Sequence, residues 1–148
     1  MKLLRLVVLV FLTVAAQSTL AQGMSTARAL VERGLNAYLA DGATAAIQGW
    51  TKGSSLEGNT QTLAQANGLR QIEDYYGKPE SFNILRENAI GPRSQMVVFS
   101  VNFNKGIMFG RFQAYQTKAG EWVATEFKFH TEAAMLLPAE LVYDLKIK

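Results

Sequence analysis

The chain has 148 residues, with no cysteine and one histidine, His130. The lack of cysteine excludes disulfides, thiolate catalysis and cysteine-based metal centres, so an apolar core alone must hold the fold. The 15 basic and 12 acidic residues give a formal charge of +3, and the absence of any Lys/Arg run argues against nucleic acid as a partner.

The opening residues MKLLRLVVLVFLTVAAQSTLAQG read as a secretory signal: Lys2 and Arg5 lead, an apolar run from Leu6 to Ala16 follows, and small and polar residues close it. The run is too short for a comfortable membrane span. Cleavage is expected after Ala21, with Thr19 and Ala21 in the small positions. Residues 1–21 are then a signal peptide and 22–148 a single exported domain, periplasmic or secreted, without stable membrane insertion. Loss of Lys2 and Arg5 leaves 13 basic against 12 acidic residues, a formal charge of +1.

From Ser25, the residues Ala27, Leu30, Val31, Leu35, Tyr38 and Leu39 recur at three- and four-residue spacing, which predicts a helix capped by Ser25 or Thr26 and ending near Asp41-Gly42. A second helix is predicted in ATAAIQGW, with Ala46, Ile47 and Trp50 on one face and Asp41 as its cap. TKGSSLEGN reads as a loop. A third helix from about Thr60 carries Leu63, Ala66, Leu69, Ile72 and Tyr76, and stops at Gly77 and Pro79.

After Pro79 the apolar period becomes two. SFNILRENAI predicts a first strand, broken by Gly91-Pro92, and QMVVFSVNFN, IMFGRFQAYQ and EWVATEFKFH predict three more. Helices first and an antiparallel meander after them make an α+β fold. A two-residue turn at Lys105-Gly106 and a four-residue loop at TKAG fix the registers. Both hairpins then agree on a core face of Val97, Phe99, Val101, Phe103, Met108, Phe112, Ala114, Val123, Phe127 and Phe129, with Thr125 as its only polar member. The opposite face carries Phe109, Arg111, Tyr115, Trp122, Glu126, Lys128 and His130, with Arg111 beside Glu126 and Tyr115 beside Trp122. Its aromatics Phe109, Tyr115 and Trp122 are candidates for contact with a second copy of the chain.

Three amino-terminal helices, the third ending in Tyr75-Tyr76-Gly77, followed by this meander, resemble the nuclear-transport-factor-2-like superfamily. The resemblance covers roughly Ser25 to Glu132 and implies a cone-shaped fold of helices on a curved antiparallel sheet. It also implies a pocket between helices and concave sheet face, and a homodimer through the outer sheet face. Members include ketosteroid isomerase, scytalone dehydratase and polyketide cyclases, while many small exported members look like binding or accessory modules. By position Tyr38 matches the pocket tyrosine of isomerase-like members, but the concave face supplies no Asp or Glu. The His/Asp pair of dehydratase-like members is not matched either, because the register sends His130 outward.

Pocket candidates are therefore Tyr38, Trp50, Tyr75, Tyr76, Phe99, Phe112, Thr125 and Phe127, able to enclose a small hydrophobic ligand. Glu73 and Asp74 add carboxylates beside the two tyrosines, and Arg70 and Arg86 read as surface charges. No catalytic residue, metal set or cofactor motif is assigned: there is one histidine, no Asp-rich loop, and no glycine-rich phosphate cradle. MLLPAELVYDLKIK, the tail from Met135, is apolar enough to fold back over the helices or to meet a partner. The expectation is an exported, non-enzymatic binding or interaction module with an apolar cone. A small isomerase or dehydratase, and a structural subunit or inhibitor acting through its surface, remain its alternatives.

Overall fold

The computed structural model describes residues 24–143, so the signal assigned to 1–21 and its cleavage position lie outside the described residues. Helix α1 (Ala27–Asp41) starts at Thr26, whose hydroxyl accepts from the Ala29 amide at 3.0 Å and so satisfies one donor that a helix start leaves unpaired. Gly42, at φ 84°, turns the chain directly into α2 (Ala43–Thr51). Asp41, expected to cap α2, is instead the last residue of α1. Helix α3 (Thr60–Tyr76) is capped by Asn59, whose side-chain oxygen accepts from the Gln61 and Thr62 amides at 2.9 and 3.2 Å.

The buried stripe of α3 is Thr62, Ala66 and Leu69, whereas Leu63, expected on it, is 42% exposed. The helix turns small residues inward so that it can lie close to the sheet. A Cβ added at Gly68 would meet the Phe129 ring at 3.3 Å.

Four antiparallel strands follow in the order β1-β2-β3-β4: β1 (Pro79–Gly91), β2 (Ser94–Phe103), β3 (Gly106–Gln116) and β4 (Trp122–His130). Helices succeeded by an antiparallel meander make the α+β class expected from the sequence. The edge strand β1 carries three register breaks, at Glu80, Leu85 and Ile90. Such bulges bend an edge and blunt it against pairing with another chain.

The registers differ from those expected, in an instructive way. Phe103 pairs with Gly106, so Asn104-Lys105 is the turn between β2 and β3, and every pair slides by two residues. An even slide leaves each side chain on its face. Gly106 serves close approach rather than turning, because a Cβ there would lie 2.5 Å from the Tyr76 ring.

Between β3 and β4, Gln116 meets Trp122 rather than Glu121, an odd slip, and Thr125 then forms a bulge that adds a second odd slip. Beyond the bulge the two slips cancel, so Phe127 faces inward and His130 faces outward opposite Phe109. Before it the faces exchange. Ala124 takes the buried position expected for Val123, and Trp122 turns inward against the core.

The space between helices and sheet is occupied by side chains. Trp50, fully buried, lies with its ring centroid 5.9, 6.1 and 5.4 Å from those of Phe99, Phe112 and Phe127. Its indole N–H donates to the Val31 carbonyl at 2.9 Å, which satisfies the ring's one polar atom. Gly34 makes the notch for this ring: a Cβ there would fall 2.2 Å from it.

After β4 a short 3-10 turn (Ala133–Met135) leads to α4 (Ala139–Val142). This segment does not fold back over the helices as expected. It crosses the outer sheet face, where Leu136, Leu137 and Pro138 stand over Met96 and Val98 and Glu140 reaches Arg86. The inner face is already occupied, and Val98 gives the outer one an apolar centre.

Candidate functional site

Five of the pocket candidates, Tyr38, Trp50, Phe99, Phe112 and Phe127, come together in the interior, where each is buried. Phe112 and Phe127 stack at 6.0 Å and 14°, and Tyr38 meets Phe103 edge-on at 6.3 Å. The Tyr38 hydroxyl and Glu73 Oε1 are buried neighbours, and among the described residues neither has a hydrogen-bond partner. Burial first, and the Glu73 carboxylate second, push the Tyr38 phenol far above its ordinary pKa, so it is a neutral donor at any physiological pH.

Tyr75 and Tyr76 meet edge-on at 5.0 Å at the border of that group: Tyr76 packs against the core with its ring centroid 6.2 Å from that of Phe103, while Tyr75 is 78% exposed. Together with Gln71, Ile72, Phe129 and His130 they line a groove of about 440 Å³ between α3 and the end of β4. His130 Nδ1 accepts from the Glu132 amide at 2.9 Å, so that nitrogen ends the strand rather than facing a reactant. Thr125 is not a concave-face residue. As the bulge it is exposed, and its hydroxyl donates to the Gln113 carbonyl at 3.2 Å and accepts from Gln113 Nε2 at 3.1 Å.

The expected interface aromatics also separate. Phe109 and Tyr115 lie on the outer face, where the Arg93 guanidinium sits 4.7 Å from the Tyr115 ring centre. Trp122 is not their neighbour: Tyr115 pairs with Val123, while Trp122 pairs with Gln116 and its amide donates to Met24 O at 3.1 Å. The odd slip at the hairpin accounts for this correction. Arg70 binds Asn67 and Thr44, both on the surface.

A groove of about 640 Å³ opens between the outer sheet face and the C-terminal segment, a size usual for small-ligand sites at ~300–1,000 Å³. Its floor is Ile90, Met96 and Val98, and its wall is Met135, Leu136, Leu137 and Pro138. Val98, at the centre of the floor, is 4% exposed yet belongs to the outer face. The polar rim holds Arg86, Asn88, Arg111 and Glu140, of which Arg86 Nη1 and Glu140 Oε1 pair at 3.1 Å. The sequence reading missed this site. Its signals are Met96 and Val98, apolar residues that alternation assigns to the polar side of β2, and the apolar tail from Met135.

Among the described residues, no three His, Asp or Glu side chains gather as a metal set, and no helix is long and apolar enough to cross a membrane. Comparison with protein-family models, with curated proteins and with solved structures finds no match.

Proposed function

We propose that this chain is an exported, non-enzymatic binding module of the nuclear-transport-factor-2-like type, which holds a small hydrophobic ligand in the groove on its outer sheet face rather than inside the cone. The observation that carries this reading is the apolar floor and wall around about 640 Å³, in a molecule whose interior is already filled at Trp50. Apolar surface left at a concave site is the usual mark of ligand binding.

A saturable rise of Nile red fluorescence with the mature protein tests it. Ile90 and Leu136 are partly or fully exposed, so Ile90→Gln and Leu136→Gln should fold normally. Losing about 60 Å² of apolar contact costs ~1.5 kcal/mol, so each variant is expected to bind about tenfold more weakly. Unchanged affinity in both variants would overturn the reading.

The isomerase alternative draws on one observation, the Tyr38 phenol beside Glu73, which could polarise a carbonyl if a substrate reached it. Against it stands the 1% exposure of Tyr38, sealed beneath Phe103.

A further inference from the structure

Register across the sheet brings an unusual row of charges to the outer face. Arg86 pairs with Val98, Val98 with Arg111, and Arg111 with Lys128. With strands about 4.8 Å apart, three cations lie in one line across four strands, interrupted only by Val98. Like charges directly opposite each other, as at Arg111 and Lys128, destabilise a sheet. The favourable Arg111–Glu126 pairing expected from the sequence is displaced, because Glu126 pairs with Gln113 in the bulged register.

Two of the three cations are met by acids of the same chain. Lys128 Nζ and Glu126 Oε1 pair at 2.8 Å, and Arg86 Nη1 and Glu140 Oε1 at 3.1 Å. Among the described residues Arg111 has no acid within 4.0 Å; the Glu126 carboxylate, paired directly with Lys128, acts on it only at longer range, and Arg111 lines the groove beside Val98. A guanidinium offers a planar fork that fits a carboxylate with two parallel hydrogen bonds. One cation with no direct ion-pair partner among the described residues, at the rim of an apolar groove, suits one negative charge; a phosphate dianion would want a second such cation, and Arg86 is engaged by Glu140.

We propose that the groove takes a carboxylic acid with an aliphatic body, its carboxylate held by Arg111 and its chain laid between Val98 and the C-terminal segment. This rests on the outer-groove reading and adds the class of ligand to it. The polar head stays at the rim beside Arg111, where water covers its outer side, and the chain displaces water from Ile90, Met96 and Leu136.

The test compares dodecanoate with dodecanol, which share a chain and differ in head charge, as competitors of Nile red at neutral pH and low micromolar concentration. Dodecanoate is expected to bind the wild-type protein about tenfold or more tightly than dodecanol, as a charge-assisted pair in a partly dry site allows. In Arg111→Gln that preference should vanish while dodecanol affinity stays unchanged, and in Arg111→Lys, which keeps the charge and loses the fork, it should be intermediate. Equal affinity for the two compounds in the wild-type protein, or a preference that survives Arg111→Gln, would overturn the carboxylate assignment and leave the groove reading standing. Failure of both compounds to displace or bind would remove the groove reading itself, and with it this inference. Circular dichroism of each variant checks that the sheet is intact.

Discussion

Replacing Trp50 by Phe measures how completely the interior is filled. The indole is fully buried, touches three phenylalanines with centroids at 5.4 to 6.1 Å, and donates to Val31 O at 2.9 Å. Shrinking the ring deletes part of that contact and opens a void beside Gly34, which large-to-small core substitutions convert to a loss of about 2 kcal/mol. The lost hydrogen bond contributes about 1 kcal/mol more, because the Val31 carbonyl can still take part in the α1 ladder. The expected destabilisation is therefore about 3 kcal/mol, a large part of the ~5–15 kcal/mol that holds a small domain. Urea unfolding followed by far-UV circular dichroism reads this as a lower midpoint at constant slope. A loss under about 1 kcal/mol would mean that the ring borders an open cavity and that the interior is not filled.

Two further outcomes follow from the same packing. Tyr38 is held neutral by burial and by Glu73, so its contribution to stability is complete below the unfolded phenol pKa of ~10 and is lost as pH rises beyond it; Tyr38→Phe should flatten the alkaline fall in unfolding free energy, and an identical fall would refute this. A homodimer through the outer face would use exposed Tyr115 and not Trp122. Tyr115→Glu should halve the mass of such a dimer in sedimentation equilibrium while costing no more than the ~0.5–1 kcal/mol of its ring contact with Arg93, whereas Trp122→Glu should cost ~1–2 kcal/mol of stability through lost core contact. An unchanged mass in Tyr115→Glu would remove that dimer, and an unchanged urea midpoint in Trp122→Glu would contradict the inward turn.

Most of the architecture was legible because it is written in periodicity. The stripe on α1 and the alternation in β2 and β3 set which side chains face inward, and an even slip of register cannot alter that. The bulge at Thr125 was not legible. Nothing in EWVATEFKFH distinguishes an extra residue at Thr125 from regular alternation, yet that residue decides that Trp122 and Ala124 turn inward while His130 stays outside. Leu63 misled for a related reason: helical spacing admits both its stripe and the Thr62, Ala66, Leu69 stripe, and only close packing at Gly68 selects the second.

The outer groove escaped the sequence for a different cause. It is formed by residues from both ends of the strand region, Ile90 and Arg86 on β1 with Leu136 and Leu137 beyond β4, and local pattern carries no information on where a tail will lie. Met96 and Val98 on the outer face of β2, and the apolar tail itself, pointed to it without showing that they meet. Similarly, Arg86 reads from the sequence as a surface charge with a neighbour such as Glu87, whereas its partner is Glu140 in the tail.

The location of bound ligand is tested most directly by recording amide proton–nitrogen spectra of the mature protein during titration with dodecanoate. Ligand in the outer groove predicts saturable shifts at Ile90, Met96, Val98, Arg111 and Leu136, with Tyr38, Trp50 and Phe99 unmoved. Shifts centred on Trp50 and Phe99 would place the ligand between helices and sheet and contradict the outer-face site.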